Sequence, residues 1–264
     1  RRGSSTLSIA SSRMLRAALR GVSGTIGGRA AAPVARACGA ARQAAFGAQF
    51  QRREMSGKVF VVCCNPVGES FSNAIAESCA KGLVAGGNEV RSINLYKMPQ
   101  EVGGGEFSPI VSLKERKEYF NENEQSALTQ DGHVKYIVES LRWSDSLVLI
   151  YPTWWFNIPA ILKGFFDRCF VPGVGFRYDK VAQKRMTGLT NIKKVGVLTS
   201  YGFTKEEVDK AGDAGQLMIS GGMTMLFAEK CEVVWKALYG MQGTQPMEVR
   251  TQFLQEVEDM YKKW

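Results

Sequence analysis

Several absences narrow this chain before any motif is read. Among 264 residues there is one histidine, His133. The six cysteines (38, 63, 64, 79, 169 and 231) show no CxxC spacing, and the paired ones lie far in sequence from His133, which speaks against a zinc site. With no secretory signal, they read as small buried hydrophobes in a reducing compartment, Cys63 and Cys64 ending a strand and Cys169 on an apolar helix face. No apolar run reaches the ~18–20 residues of a membrane span. No GxGxxG follows the first apolar run, which leads instead into "CCNPVGESFSN", so a dinucleotide-type Rossmann fold is disfavoured. There is no internal repeat, no nucleophile triad and no paired-carboxylate site. Acids are scarce in one place only. Residues 1–54 hold ten Arg, no Lys and the single acid Glu54, while residues 55–264 hold 24 basic and 24 acidic residues. The formal charge of +9 therefore sits in the first segment. The body carries no electrostatic footprint for DNA or RNA.

Residues 1–54 have the composition of an organellar transit peptide, rich in Arg, Ala, Ser and Gly. In "SSRMLRAALRGVSG" a helix would place Leu15, Leu19 and Val22 opposite Arg13, Arg16 and Arg20. The expectation is mitochondrial (matrix) import with a mature protein from about Met55. Plastid import is one alternative; a cytoplasmic protein translated from Met55 is the other.

From Lys58 the pattern alternates. "KVFVVCC" (58–64) is a continuous apolar run, as in a strand buried on both faces. A helix is expected from Ser70 to about Ala85, stopped by Gly86 and Gly87, then a strand over 88–96. Residues 99–130 are a long polar connection, partly helical. A helix over 132–143, a buried strand over 146–152 and a helix begun by Pro159 follow. Strands over 193–202 and 231–238, a helix within 205–228 and a last helix from about Pro246 complete the body, residues 55–264. Alternating β and α units predict an α/β doubly wound five-stranded parallel sheet, flavodoxin-like, of order 2-1-3-4-5. Ligands then sit at the carboxyl ends of strands 1 and 3.

Three loops meet at that edge. In "NPVGESFSN" (65–73), Ser70, Ser72 and Asn73 lie beside the free N–H groups of a helix N-terminus, either an anion site or simply a cap. "YPTWWFNIP" follows strand 3; its aromatics either stack on a flat ring or plug the core or a subunit interface. "TSYG" (199–202) either reaches that ring from the other side or is an ordinary turn. One planar anionic ligand, a flavin nucleotide, would account for all three, with its phosphate at the first helix and its ring between the second and third loops.

Residues 58–262 resemble the flavodoxin-fold NAD(P)H quinone reductases, DT-diaphorase and its bacterial NAD(P)H oxidoreductase relatives. "YPTWWFNIPAILKGFFDRCF" is close to that family's P-x-x-W-F-x-x-P-A-x-L-K-G-W/F-x-[DE]-R-V, and "SFSNAIAE", "NEVRSINLYKM", "FSPIVS" and "CEVVWKALYGM" agree in order and spacing. The resemblance implies a homodimer with its active site at the interface, in which NAD(P)H reduces a flavin and a quinone-like acceptor then takes two electrons in a ping-pong cycle. FAD is the first choice of flavin and FMN the alternative. Residue by residue it implies cofactor binding by Asn65, Ser70, Phe71, Ser72, Asn73, Pro152, Thr153, Trp154, Trp155, Phe156, Thr199, Ser200, Tyr201 and Gly202. Substrate contacts fall to Trp155 and Phe156 together with Phe176 and Tyr178 of "GFRYD", reaching into the partner's site. Trp155, Phe156, Tyr178 and Tyr201 are the candidate catalytic residues.

The chain departs from the animal enzymes at Asn65, where they have histidine, and at Trp154, where they have glutamine. Their assisting Tyr and His downstream of the third loop have no match in "YGFTKEEVDKAGDAG". The expected function is a flavin-dependent NAD(P)H dehydrogenase (quinone). A nitro- or azoreductase on the same scaffold, and a non-enzymatic flavin electron carrier or regulatory subunit, are the alternatives.

Overall fold

A computed structural model describes residues 57–121, 130–242 and 245–264. The expected transit peptide lies outside the described residues. Five strands form one parallel sheet: β1 (Lys58–Cys63), β2 (Glu89–Asn94), β3 (Ser146–Pro152), β6 (Lys194–Ser200) and β7 (Glu232–Leu238). Their order is β2-β1-β3-β6-β7. This differs from the expected 2-1-3-4-5 in its numbering, because an antiparallel hairpin of β4 (Phe176–Asp179) and β5 (Lys184–Thr187) intervenes between the third and fourth sheet strands. Its short strands carry Arg, Lys and Asp among the apolar residues, so neither an apolar run nor a clear alternation announces them.

The central strands are apolar throughout because both faces are covered. Val59, Val61, Cys63, Val148, Ile150 and Leu198 point to one face, against Ile75, Cys79 and Leu83 of α1 (Phe71–Ala85) and Phe253, Val257 and Tyr261 of α7 (Met247–Tyr261). Phe60, Val62, Cys64, Leu147, Leu149 and Val197 point to the other, against α3 (Gly132–Trp143) and α4 (Ala160–Cys169). The period of two along each strand thus divides a continuous apolar run between two cores.

The long connection is held down by a buried cation. It includes a short helix, α2 (Leu113–Lys117), opened by a capping box between Ser112 and Glu115. Arg168 of α4, buried, donates to Glu115 from Nε at 2.9 Å, to Asp131 at 3.0 Å and to the Ser108 carbonyl at 2.8 Å. Gly164, one turn earlier, lets Pro109 approach so closely that an added Cβ would lie 2.3 Å from it. The Arg of the "FFDRCF" stretch is therefore a clamp on the connection. Burial by itself would raise the Glu115 carboxyl, but the Ser112 amide and hydroxyl and the Arg168 guanidinium outweigh it and hold it below the ordinary carboxylate range.

The helix expected within 205–228 is two helices, α5 (Lys205–Ala211) and α6 (Ala214–Ser220), followed by a 3₁₀ turn at Gly222–Leu226. Gly212, with φ +77°, separates them, and Thr204 and Asp213 cap them. Among the described residues no helix is long and apolar enough to cross a membrane.

Candidate functional site

The parallel register brings the three loops to one edge. Backbone bonds run from Cys64 N to Ile150 O, from Thr153 N to Ser200 O and from Tyr201 N to Leu238 O, at 2.8–2.9 Å, so each loop leaves its strand at the same height.

The first loop is built by asparagines. Ser70 is the N-cap of α1, its hydroxyl accepting from Asn73 N at 3.3 Å. The Asn73 side chain donates to the carbonyls of Val67 (2.7 Å) and Gly68 (2.9 Å), and Asn65 Oδ1 accepts from Val67 N at 2.9 Å. Asn94, at the end of β2, ties the two together by donating to Asn65 O at 2.8 Å and Asn73 Oδ1 at 3.2 Å. Asn65 and Asn73 thus shape the loop, which is a different part from the direct cofactor contacts expected of them. The amides of Phe71 and Ser72 make no hydrogen bond to the described residues, and they sit at the positive end of a 15-residue helix. The Phe71 ring packs on Phe253, 5.9 Å between centroids, so only its backbone is offered to a ligand. Buried Ser72 receives Asn65 Nδ2 at 3.3 Å. Cys63, whose thiol burial pushes up to about 12, donates to Asn73 Oδ1 and stays inert.

The second loop is a two-residue hairpin turn. Trp154 and Asn157 exchange backbone bonds of 2.9 and 3.0 Å, and Trp155 and Phe156 between them have φ of +51° and +58°. Such a turn ordinarily takes Asn-Gly, since both central residues are left-handed. A bulky residue there costs about 1–2 kcal/mol. Trp154 and Trp155 are 61% and 87% exposed, so they do not plug this chain's core. Strain held at an exposed tryptophan, Trp155, and its half-buried neighbour Phe156 points to a site. Phe156 stacks on Phe203, centroids 4.5 Å apart and planes at 19°. That contact offsets about 0.5–1.5 kcal/mol of the strain. The amides of Trp155 and Phe156 make no hydrogen bond to the described residues. Pro159, expected as the first helical residue, is instead the N-cap of α4, which starts one residue later at Ala160, and Gly215 of α6 packs beneath Asn157 and Ile158.

The third loop commits two of the expected side chains to the fold. Thr199 is buried with its hydroxyl donated to Tyr151 O at 2.8 Å, a link between β3 and β6, so its side chain cannot reach a ligand. Tyr201 is also buried, stacked on Tyr239 at 4.8 Å, and its hydroxyl donates to Asp213. Burial and that hydrogen bond raise its pKa well above the ordinary phenol value. Tyr201, expected as a catalytic group, is held here as an anchor for the loop. Ser200 is buried too, and its carbonyl accepts from the Thr153 hydroxyl at 3.1 Å. What this loop presents is backbone: the Gly202 amide makes no hydrogen bond to the described residues, and the Gly202 carbonyl accepts from Gln242 N at 3.1 Å.

Phe176 and Tyr178 lie elsewhere. Phe176 packs against the α3–α4 core, and Tyr178, exposed, donates to Gln183 within its own hairpin at 3.1 Å. Among the described residues no hydrogen bond or ring pair joins either to the three loops. A groove of about 990 Å³ beside this hairpin is lined by Arg185, Thr187, Met225, Cys231 and Trp235 and by none of the three loops. Its lining along β7, Val233 and Trp235 with Cys231 just before them, comes from the start and middle of that strand and not from its carboxyl end. Asn94, Phe203, Asp213 and Tyr239 were missed in sequence. For Asn94, Phe203 and Tyr239 the signal was a polar or aromatic residue near where a strand runs out, and for Asp213 it was that of a helix cap.

The arrangement is an anion cradle next to a rigid aromatic turn with unpaired amides. The chain belongs to the flavodoxin-like fold family, whose model matches residues 57–263. Relatives named as quinone-reducing NAD(P)H dehydrogenases and oxidoreductases agree with the family that residues 58–262 resemble. A ribosyldihydronicotinamide dehydrogenase-like protein of Penicillium crustosum is 29% identical over 171 residues, 61% of this chain and 63% of its own. An FMN-dependent NADH:quinone oxidoreductase of Yersinia enterocolitica is 31% identical over 116 residues, 44% of this chain and 54% of its own. The chain thus spans under two thirds of these two relatives. The solved NAD(P)H:quinone oxidoreductase of Methanothermobacter marburgensis superposes with a TM-score of 0.62 at 26% identity, covering 78% of this chain and 96% of that one.

Proposed function

We propose that this protein is a flavin-dependent NAD(P)H dehydrogenase acting on quinones. The turn at Trp154–Asn157 carries the reading: two left-handed aromatics at a crevice mouth, beside helix amides suited to a phosphate. FMN replaces FAD as the preferred flavin. The first loop offers one anion position, at the Phe71 and Ser72 amides, and residues 64–73 contain no Lys or Arg for a second phosphate. The Yersinia relative is named FMN-dependent. When bound, the flavin supplies the hydride chemistry. The chain supplies position: the amides at the start of α1 and the Ser70 hydroxyl for the phosphate, Pro152–Phe156 and Gly202 for the ring's edge, and Trp155 as a stacking face. With Thr199 and Tyr201 committed elsewhere and no histidine in the three loops, the Trp155, Phe156 and Gly202 amides are the donors left to meet charge developing at the ring's edge.

Purified protein loaded with FMN should be yellow, bleach with NADH or NADPH, and recover colour with menadione. A protein that stays colourless after reconstitution rules the reading out. Flavin bound without steady-state quinone turnover would instead favour the electron carrier, and faster reduction of azo or nitro compounds than of quinones would favour that alternative.

Because one chain does not bring Tyr178 to the loops, we also infer a homodimer in which the hairpin serves the partner's crevice, and an organellar address encoded in residues 1–54. Sedimentation of the purified protein and the location of a fluorescent protein fused to residues 1–54 test these two points.

A further inference from the structure

Phe203 stands one residue beyond the third loop as read from sequence, yet it touches the second. Its ring is 4.5 Å from Phe156 and nearly parallel to it. Its carbonyl accepts from Gly240 N at 2.7 Å, so the loop after β7 fixes its backbone. Phe156, by contrast, hangs on a left-handed turn that persists only if its neighbours hold it. The stack is the side-chain hold on that turn, and Trp155, the exposed face next to it, takes its direction from the same two dihedral pairs.

Resting on the quinone-reductase reading, we propose that Phe203 is the specificity-determining residue of the crevice. By keeping Phe156 against the third loop it makes the mouth a rigid aromatic edge, which admits flat acceptors and turns away those with bulk above and below the ring plane. Stacking gains accumulate only where two faces meet along their length, and a substituent standing out of the plane holds the faces apart. Without the Phe203 ring, Phe156 loses its partner and the turn relaxes. The mouth then widens, so thick acceptors gain relative to flat ones.

The test compares menadione with a di-tert-butyl benzoquinone on the FMN-loaded full chain, as wild type, Phe203→Ala, Phe203→Leu and Phe203→Tyr. Two readouts are taken: kcat/KM, and quinone affinity from quenching of tryptophan fluorescence. FMN affinity is measured in parallel. Phe203→Ala should shift the preference toward the bulky quinone by roughly tenfold, the size of effect a reshaped apolar pocket produces. Phe203→Leu should shift it less in the same direction, and Phe203→Tyr, which keeps the stack, should leave it unchanged; FMN is kept saturating in every assay, because a relaxed Trp155–Phe156 turn would also loosen its hold on the ring's edge. An unchanged ratio in Phe203→Ala overturns the proposal, and Phe203→Leu decides in its place if the alanine variant does not fold. A wild type that turns over neither quinone refutes the quinone-reductase reading, while the affinity ratio still decides the role of Phe203.

Discussion

Two regions of this molecule invert the usual rule of burial in opposite directions. At the long connection a guanidinium, Arg168, is buried, and it is fully engaged by two carboxylates and a carbonyl. At the crevice mouth two tryptophans are exposed, and the turn beneath them is strained. The first region makes a buried charge tolerable by satisfying it, so it contributes to the fold. The second leaves apolar area in water and backbone in a costly conformation, a cost that the proposed ligand site would offset.

The contrast is sharpest in substitutions. Arg168→Ala should cost about 3–5 kcal/mol, because it strands Glu115 as an unpaired buried carboxylate. Urea unfolding would show the loss; a change under about 1 kcal/mol would mean that water reaches Glu115. Trp155→Ala should do the reverse, lowering acceptor kcat/KM by roughly tenfold or more through the lost stacking area while leaving the unfolding midpoint within error. If it only destabilises, Trp155 is structural. Trp155→Gly should go further and raise stability by about 1 kcal/mol, since glycine accepts the left-handed turn, again with loss of turnover.

The pH dependence separates the regions as well. Glu115 and Asp131 both have folded-state pKa values below their ordinary ones; for Asp131 too, burial is outweighed by hydrogen bonds to the Val134 amide and Arg168. A depressed carboxylate contributes stability that is present above its unfolded pKa and lost as pH falls through the folded one. The clamp's contribution should therefore be complete at neutral pH and fade below about pH 4. Melting curves of wild type and Arg168→Met should converge there. The smallest effect is expected from Tyr201→Phe. Removing a loop anchor costs about 1 kcal/mol, and turnover at saturating acceptor should be nearly unchanged. A large loss of kcat would restore Tyr201 as a catalytic group.

The first-loop serines and the "YPTWWFNIP" stretch were legible because their chemistry is local: a cap precedes its helix, and aromatics after a buried strand have few places to go. Tyr201 misled for the same reason. A tyrosine in a turn after a strand reads as available, and only Asp213, twelve residues on, and Tyr239, on the neighbouring strand's loop, show that it is spent. Phe203 was overlooked because its partner, Phe156, is 47 residues away in the chain. The β4–β5 hairpin was hidden by its charged, short strands.

By itself the sequence determined the parallel sheet, the neutral body with its arginine-rich first 54 residues, and the edge at which the loops gather. Those follow from periodicity and composition, which act over a few residues at a time. Only the tertiary structure decided which side chains at that edge face outward. That choice depends on contacts between loops of different strands: Asn94 with Asn65, Phe203 with Phe156, and Tyr239 with Tyr201. Each of these pairs exists only once parallel register has brought distant strand ends to the same height.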